Sequence, residues 1–96
     1  MENGNFFVYI LQSKKDFSFY IGQCDDLGKR MSKHMDGLSK YTASKRPLRL
    51  VYFETHESRS AAIVRERYIK SMKSRRFIEA LIKLRYKSWE ADKNND

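Results

Sequence analysis

Hydrophobic residues along this chain fall into two kinds of pattern. The run Phe6-Phe7-Val8-Tyr9-Ile10-Leu11 is apolar at every position, so both alternating sets need cover, as in a central strand with a layer on each face. Ser13-Lys14-Lys15-Asp16 is polar and turn-like, and Phe17 to Gly22 reads as a second strand closing a hairpin. Asp25 and Asp26 can cap a helix running to His34–Gly37, with Leu27, Met31 and Met35 spaced i, i+4, i+8 and Gly37 as its stop. Pro47 opens a third strand, Leu48 to Glu54. Ser58 can cap a helix over Arg59 to Met72, with Ala61, Val64, Tyr68 and Met72 as its core stripe and Ala62 and Ile69 flanking it. Ser74 can cap another, with Phe77, Leu81 and Leu84 inward. The order is ββαβαα, predicting an α+β fold: a small, three-stranded, mainly antiparallel sheet flanked by helices. One domain is expected over 1–86, and a polar tail over 87–96, where Trp89 has no evident partner, is expected to fray.

Charge changes the picture next. The chain has 96 residues, with 20 Lys and Arg against 12 Asp and Glu, a net +8. A surplus this large on one small domain implies a polyanionic partner, and nucleic acid fits best. No segment approaches the ~20 apolar residues of a membrane-spanning helix. Residues Met1 to Asn5 carry no basic signal region, and the single Cys24 cannot pair within the chain. A reducing cytoplasm is expected.

Four features could carry chemistry. A hairpin loop centred on Lys14-Lys15 would set Tyr9 directly opposite Tyr20, with Cβ atoms roughly 5 Å apart. Such phenols could position a water and shuttle a proton, or simply stabilise the sheet. Arg30 and His34, at i, i+4, share a helix face; they could serve phosphate and proton transfer, or belong with Lys33 to a solvated basic face. Glu66 sits at the edge of the apolar stripe, beside Ala62 and Ile69, where it could hold a hard cation or pair with Lys70. The loop Lys40-Tyr41-Thr42-Ala43-Ser44-Lys45-Arg46 suits phosphate contact and base stacking, or is ordinary solvated loop. No GxxxxGK[ST], GxGxxG or CxxC motif is present.

The residues Val8-Tyr9-Ile10, Tyr20-Ile21-Gly22 and Asp26 to His34 together resemble the core of the GIY-YIG nucleases. Lys40-Tyr41-Thr42, Arg46-Pro47, Leu50-Val51-Tyr52 and Glu66 to Lys70 resemble its small stand-alone bacterial branch. The likeness spans roughly Phe6 to Ile82. It implies a ββαβα core and a phosphodiesterase, an endonuclease using one divalent metal, Mg²⁺ with Mn²⁺ as a substitute. It implies Tyr9 and Tyr20 lining the site, Arg30 stabilising phosphate charge, His34 assisting proton transfer or orienting a Tyr, Glu66 ligating the metal, and Gly22 as a structural member of its triad. Lys29, Lys33, Lys40, Tyr41, Thr42, Lys45 and Arg46 are the candidate nucleic-acid contacts, with DNA expected ahead of RNA. Arg30, Lys29 or a bound cation is expected to favour the phenolate of a site tyrosine. Three departures stand out. Phe7 replaces the family's first Gly, no Asn follows Glu66 before Ile82, and Met72 and Ala80 occupy places where the branch tends to have Trp and Lys. The alternative function is a nucleic-acid-binding module with weak or lost catalysis; an adaptor domain would need an exposed apolar patch.

Overall fold

The computed structural model describes residues 5–94, with side chains through residue 85. Its elements are β1 (Phe6–Ser13), β2 (Phe19–Cys24), α1 (Leu27–Met35), a single 3₁₀ turn at Ala43–Lys45, β3 (Leu48–His56), α2 (Arg59–Met72) and α3 (Arg75–Asn94). The sheet is antiparallel throughout and ordered β2-β1-β3. The fully apolar strand is therefore the central one. Val8 and Ile10 pack with Ala62, Ile69 and Ile78 beneath α2 and α3. Tyr9 and Leu11 join Cys24 and Leu48 on the opposite face, against Leu27 and Met31 of α1. The α+β, ββαβαα architecture matches the residue pattern. Trp89 lies outside the described side chains.

The local signals work where a side chain and its partner are close in sequence. Asp26 accepts the Lys29 amide at 3.0 Å, Ser58 that of Ala61 at 3.1 Å and Ser74 that of Phe77 at 3.1 Å, each satisfying an orphan donor of a helix start. Asp25 instead pairs with Arg59. α1 ends with the Gly37 amide bonded to His34 O and the Leu38 amide to Lys33 O. This Schellman closure uses the positive φ of 77° at Gly37.

Three expectations are corrected. The hairpin loop is centred one residue later, on Lys15-Asp16. Ser13 Oγ accepts the amides of Lys15 and Asp16, and Phe17 lies in the turn at φ 63°. Tyr9 consequently pairs with Gly22, and Leu11 with Tyr20. Tyr9 and Tyr20 keep a common face but stand diagonally, roughly 7–8 Å apart rather than 5 Å.

The second correction concerns α2. Its buried residues are Ala62 and Ile69, whereas Val64 is 67% exposed, and Ala61, Tyr68 and Met72 also face outward. Arg65 reaches across to Glu54 of β3 at 2.8 Å, and this pair holds the rotation. Tyr68 is compensated at the surface by an edge-on contact with Phe77, 6.0 Å between centroids. The third correction is that Leu84 and Met35 are exposed. Ile78 is the buried residue of α3, and His34 takes the inward place at the end of α1.

Candidate active site

The edge of β2 forms one wall of a cavity of about 610 Å³, lined by Tyr9, Tyr20, Gly22, Arg30, His34 and Glu66, among others. These side chains come from both layers. Tyr9 and Tyr20 belong to the face covered by α1, while Glu66 descends from α2 on the other. The rotation of α2 places Glu66 one turn from Ala62 and between it and Ile69, so its side chain is only 18% exposed. Arg65 and Glu66, 100° apart on the helix, point to opposite edges of the sheet: one anchors the helix, the other enters the cavity.

At the centre lies a hydrogen-bonded chain. Arg30 Nε donates to Tyr9 Oη at 3.0 Å. Tyr9 Oη lies 3.0 Å from His34 Nε2, and His34 Nδ1 lies 2.8 Å from Thr42 Oγ1. Tyr9, His34 and Thr42 are almost wholly buried. Burial pushes the Tyr9 phenol above its ordinary value, outweighing the lowering by the Arg30 hydrogen bond and charge. Arg30 does favour the phenolate, in the expected direction, but burial opposes it more strongly. Burial, and secondarily the charge of Arg30, pushes His34 below its ordinary value. The resting pair is thus a neutral phenol against a neutral imidazole.

Gly22 has a steric reason. A Cβ at position 22 would fall 2.5 Å from Tyr9 Cζ and against its Oη, so the phenol lies across bare backbone. Gly22→Ala is expected to displace the ring and destabilise the fold by ~1–3 kcal/mol, a melting point lower by at least ~4 °C for a domain this size. Thermal denaturation checks it; an unchanged melting temperature would show that the ring gives way at no cost.

The candidate nucleic-acid contacts separate into two groups. Lys29, Lys33, Lys40 and Tyr41 are exposed, Tyr41 at 88%. Lys29 and Lys33 also line a smaller depression that includes Arg59. Thr42 turns inward to His34, Lys45 pairs with Asp16 at 2.6 Å, and Arg46 bonds to Ala43 O and packs against Gly37. Lys70, named earlier only as a pairing partner of Glu66, lines the cavity, as do Ser39 and Gln23, which were not singled out. Lys70 had a signal, its i, i+4 spacing from Glu66; the other two had none. Tyr20 Oη donates to Ser18 Oγ at 3.0 Å, since the one Ser18 hydroxyl proton goes to the Asp16 carboxylate at 2.6 Å.

The profile of the GIY-YIG catalytic domain matches residues 5–90 of this chain. The chain belongs to the GIY-YIG family. Its relatives include the UPF0213 protein YazA of Bacillus subtilis, 38% identical over 73 residues, covering 75% of this chain and 73% of that protein. The UPF0213 protein CPE1444 of Clostridium perfringens is 45% identical over 67 residues, covering 69% and 71%. The solution NMR structure of the UPF0213 protein BH0048 from Bacillus halodurans superposes with a TM-score of 0.54 at 40% identity, covering 83% of this chain and 84% of that one. A GIY-YIG domain implies nuclease-type activity on nucleic acid, and the family generally uses divalent metal ions.

The donor set can be tested against such an ion. Among the described residues no three His, Cys, Asp or Glu side chains cluster. Glu66 nevertheless offers a sheltered carboxylate on the cavity wall, with one oxygen 3.0 Å from Lys70. That suits a hard cation which keeps most of its waters and takes one protein carboxylate plus phosphate oxygens. Among the described residues, no helix is long and apolar enough to cross a membrane.

Proposed function

We propose that this protein is a magnesium-dependent endonuclease that hydrolyses phosphodiester bonds in DNA. The observation that carries the reading is the Arg30–Tyr9–His34 hydrogen-bonded chain on the wall of the cavity that also holds Glu66. Hydrolysis needs a positioned water, a base and neutralisation of developing charge. Arg30 spends Nε on Tyr9 and keeps its terminal nitrogens for a phosphate oxygen. Tyr9, whose proton has a ready acceptor in His34 Nε2, is the group beside which the attacking water is deprotonated. Tyr20 lines the same face and bounds the water's position. Glu66 would hold the cation, which supplies charge neutralisation at the leaving oxygen. DNA is favoured by the resemblance to homing, restriction and repair endonucleases.

A second reading, a binding module with weak catalysis, is favoured by the Lys70–Glu66 ion pair, which a metal would have to loosen. Labelled DNA and RNA strands, duplexes and branched forms, each with Mg²⁺, Mn²⁺ or EDTA, separate the two. Metal-dependent cleavage supports the enzyme; binding throughout without cleavage supports the module. Both readings expect salt-sensitive binding. With the exposed Lys29, Lys33, Lys40 and Arg59 beside Arg30 and Lys70, contact with about four to six phosphates gives log K falling against log salt with a slope near −3 to −5. Affinity flat between low and moderate salt would contradict it.

A further inference from the structure

We propose that Thr42 is a positioning residue: its hydroxyl accepts the Nδ1–H of His34, so that a neutral imidazole presents a bare Nε2 to Tyr9 Oη as acceptor of the tyrosine proton. Thr42 was singled out for its place in a polar, basic loop, yet it is only 2% exposed. The loop holds it there from both sides, its amide donating to Ser39 O at 3.2 Å and its carbonyl accepting from the Lys45 amide at 2.9 Å. Ser13 Oγ donates to Lys45 O at 2.7 Å, tying this turn to the end of β1. The hydroxyl is thereby fixed 2.8 Å from His34 Nδ1.

The direction of the chain follows from Tyr9. Its oxygen already accepts from Arg30 Nε. Its own proton is retained, because burial opposes the phenolate. Among the described residues, the acceptor within hydrogen-bond reach of that proton is His34 Nε2, at 3.0 Å. A bare Nε2 in a neutral imidazole requires the proton on Nδ1, and a buried Nδ1–H requires an acceptor. Thr42 Oγ1 is that acceptor. The reverse chain would aim two donors, Arg30 and Nε2–H, at one phenol oxygen still carrying its proton, a poor double acceptor.

The catalytic consequence rests on the reading under Proposed function. The Oη–H bond of Tyr9 breaks as Nε2–H forms. The tyrosinate takes a proton from water while the water oxygen bonds to phosphorus and the bond to the leaving oxygen breaks. The imidazolium proton passes to solvent, and the leaving oxygen takes one up, so water is added across the cleaved bond. Throughout, Nδ1–H stays on Thr42. The charged or titratable groups facing His34 are Tyr9 from β1 and Arg30 on its own helix, then Glu66 and Lys70 from α2, Tyr20 from β2 and Tyr41 from the loop across the cavity.

The test reads the tautomer directly, by ¹⁵N NMR of the imidazole at a pH where His34 is neutral. Wild type is expected to show Nδ1–H with bare Nε2, and Thr42→Ser the same. Thr42→Val, nearly isosteric but unable to accept, is expected to shift the population toward Nε2–H. Its turnover should fall about 10- to 100-fold at unchanged KM, with Thr42→Ser restoring most of it. A wild-type imidazole in the Nε2–H form, or a tautomer unmoved in Thr42→Val, overturns the proposal. If Thr42→Val fails to fold, the wild-type tautomer alone decides. If wild type cleaves nothing in the panel, the enzymatic reading fails, while the tautomer still decides whether Thr42 positions His34.

Discussion

Glu66→Gln is expected to abolish metal-dependent cleavage in a protein that folds and binds nucleic acid as before. The substitution preserves length and helix propensity on a face where Glu66 lies between Ala62 and Ile69, so the packing of α2 is retained. The lost ion pair with Lys70, whose side chain is half exposed, is worth at most a few tenths of a kcal/mol. Removing the carboxylate removes the charge a hard cation requires. Metal stabilisation of transition-state charge amounts to several kcal/mol, so the rate should fall on the order of 10²–10³-fold or more. Metal-free affinity for nucleic acid should hold or rise slightly, since one negative charge leaves a surface facing phosphates. Three measurements check this: melting temperature, binding in EDTA, and Mg²⁺-dependent cleavage, with Mn²⁺ binding as a readout separate from activity. Undiminished cleavage by a well-folded Glu66→Gln would remove Glu66 from the mechanism.

Arg30→Ala is expected to lower turnover about 10²–10³-fold while nucleic-acid affinity changes by a few-fold, because many other cations remain to hold the backbone. The structure sharpens the expectation. Arg30 is bonded to Tyr9 through Nε, so Arg30→Lys, with one compact ammonium in place of a planar fork, loses the geometry that holds Tyr9 through one nitrogen while the others face a phosphate. It should be nearly as impaired as Arg30→Ala. The signs of two titrations follow. Arg30 lowers the Tyr9 value against burial, so its removal should raise the pH at which the phenol ionises. Arg30 also adds to the lowering of His34, so its removal should move His34 up toward the ordinary imidazole value. NMR titration of His34 and ultraviolet titration of Tyr9 read both shifts. Equal losses of affinity and turnover would make Arg30 an ordinary phosphate contact.

The family and the fold were legible in the chain because their signals are local or periodic. An unbroken apolar run over Phe6 to Leu11 can only be satisfied by cover on both faces, and β1 is the central strand. Asp26, Ser58 and Ser74 cap helices because each partner amide lies three residues away. Arg30 and His34 share a face because 3.6 residues make a turn, and that face lines the cavity.

What only the tertiary structure decided depends on how the loops close and how the segments meet. The hairpin register turned on Ser13 Oγ and the left-handed Phe17 within the loop, which alternation alone does not specify. The longer apolar stripe of α2, Ala61, Val64, Tyr68 and Met72, faces outward, and the flanking pair Ala62 and Ile69 is the one buried. Small Ala62 approaches the sheet closely, and Arg65 finds Glu54 eleven residues back on β3. Composition placed Thr42 among the candidate nucleic-acid contacts, but the loop folds it against a histidine eight positions earlier. Burial raises the Tyr9 phenol, an effect that no count of neighbouring charges contains. Short-range hydrogen bonds and helical periodicity are properties of a segment; register, rotation and burial are properties of how segments meet, and the chemistry of this cavity is set by the second kind.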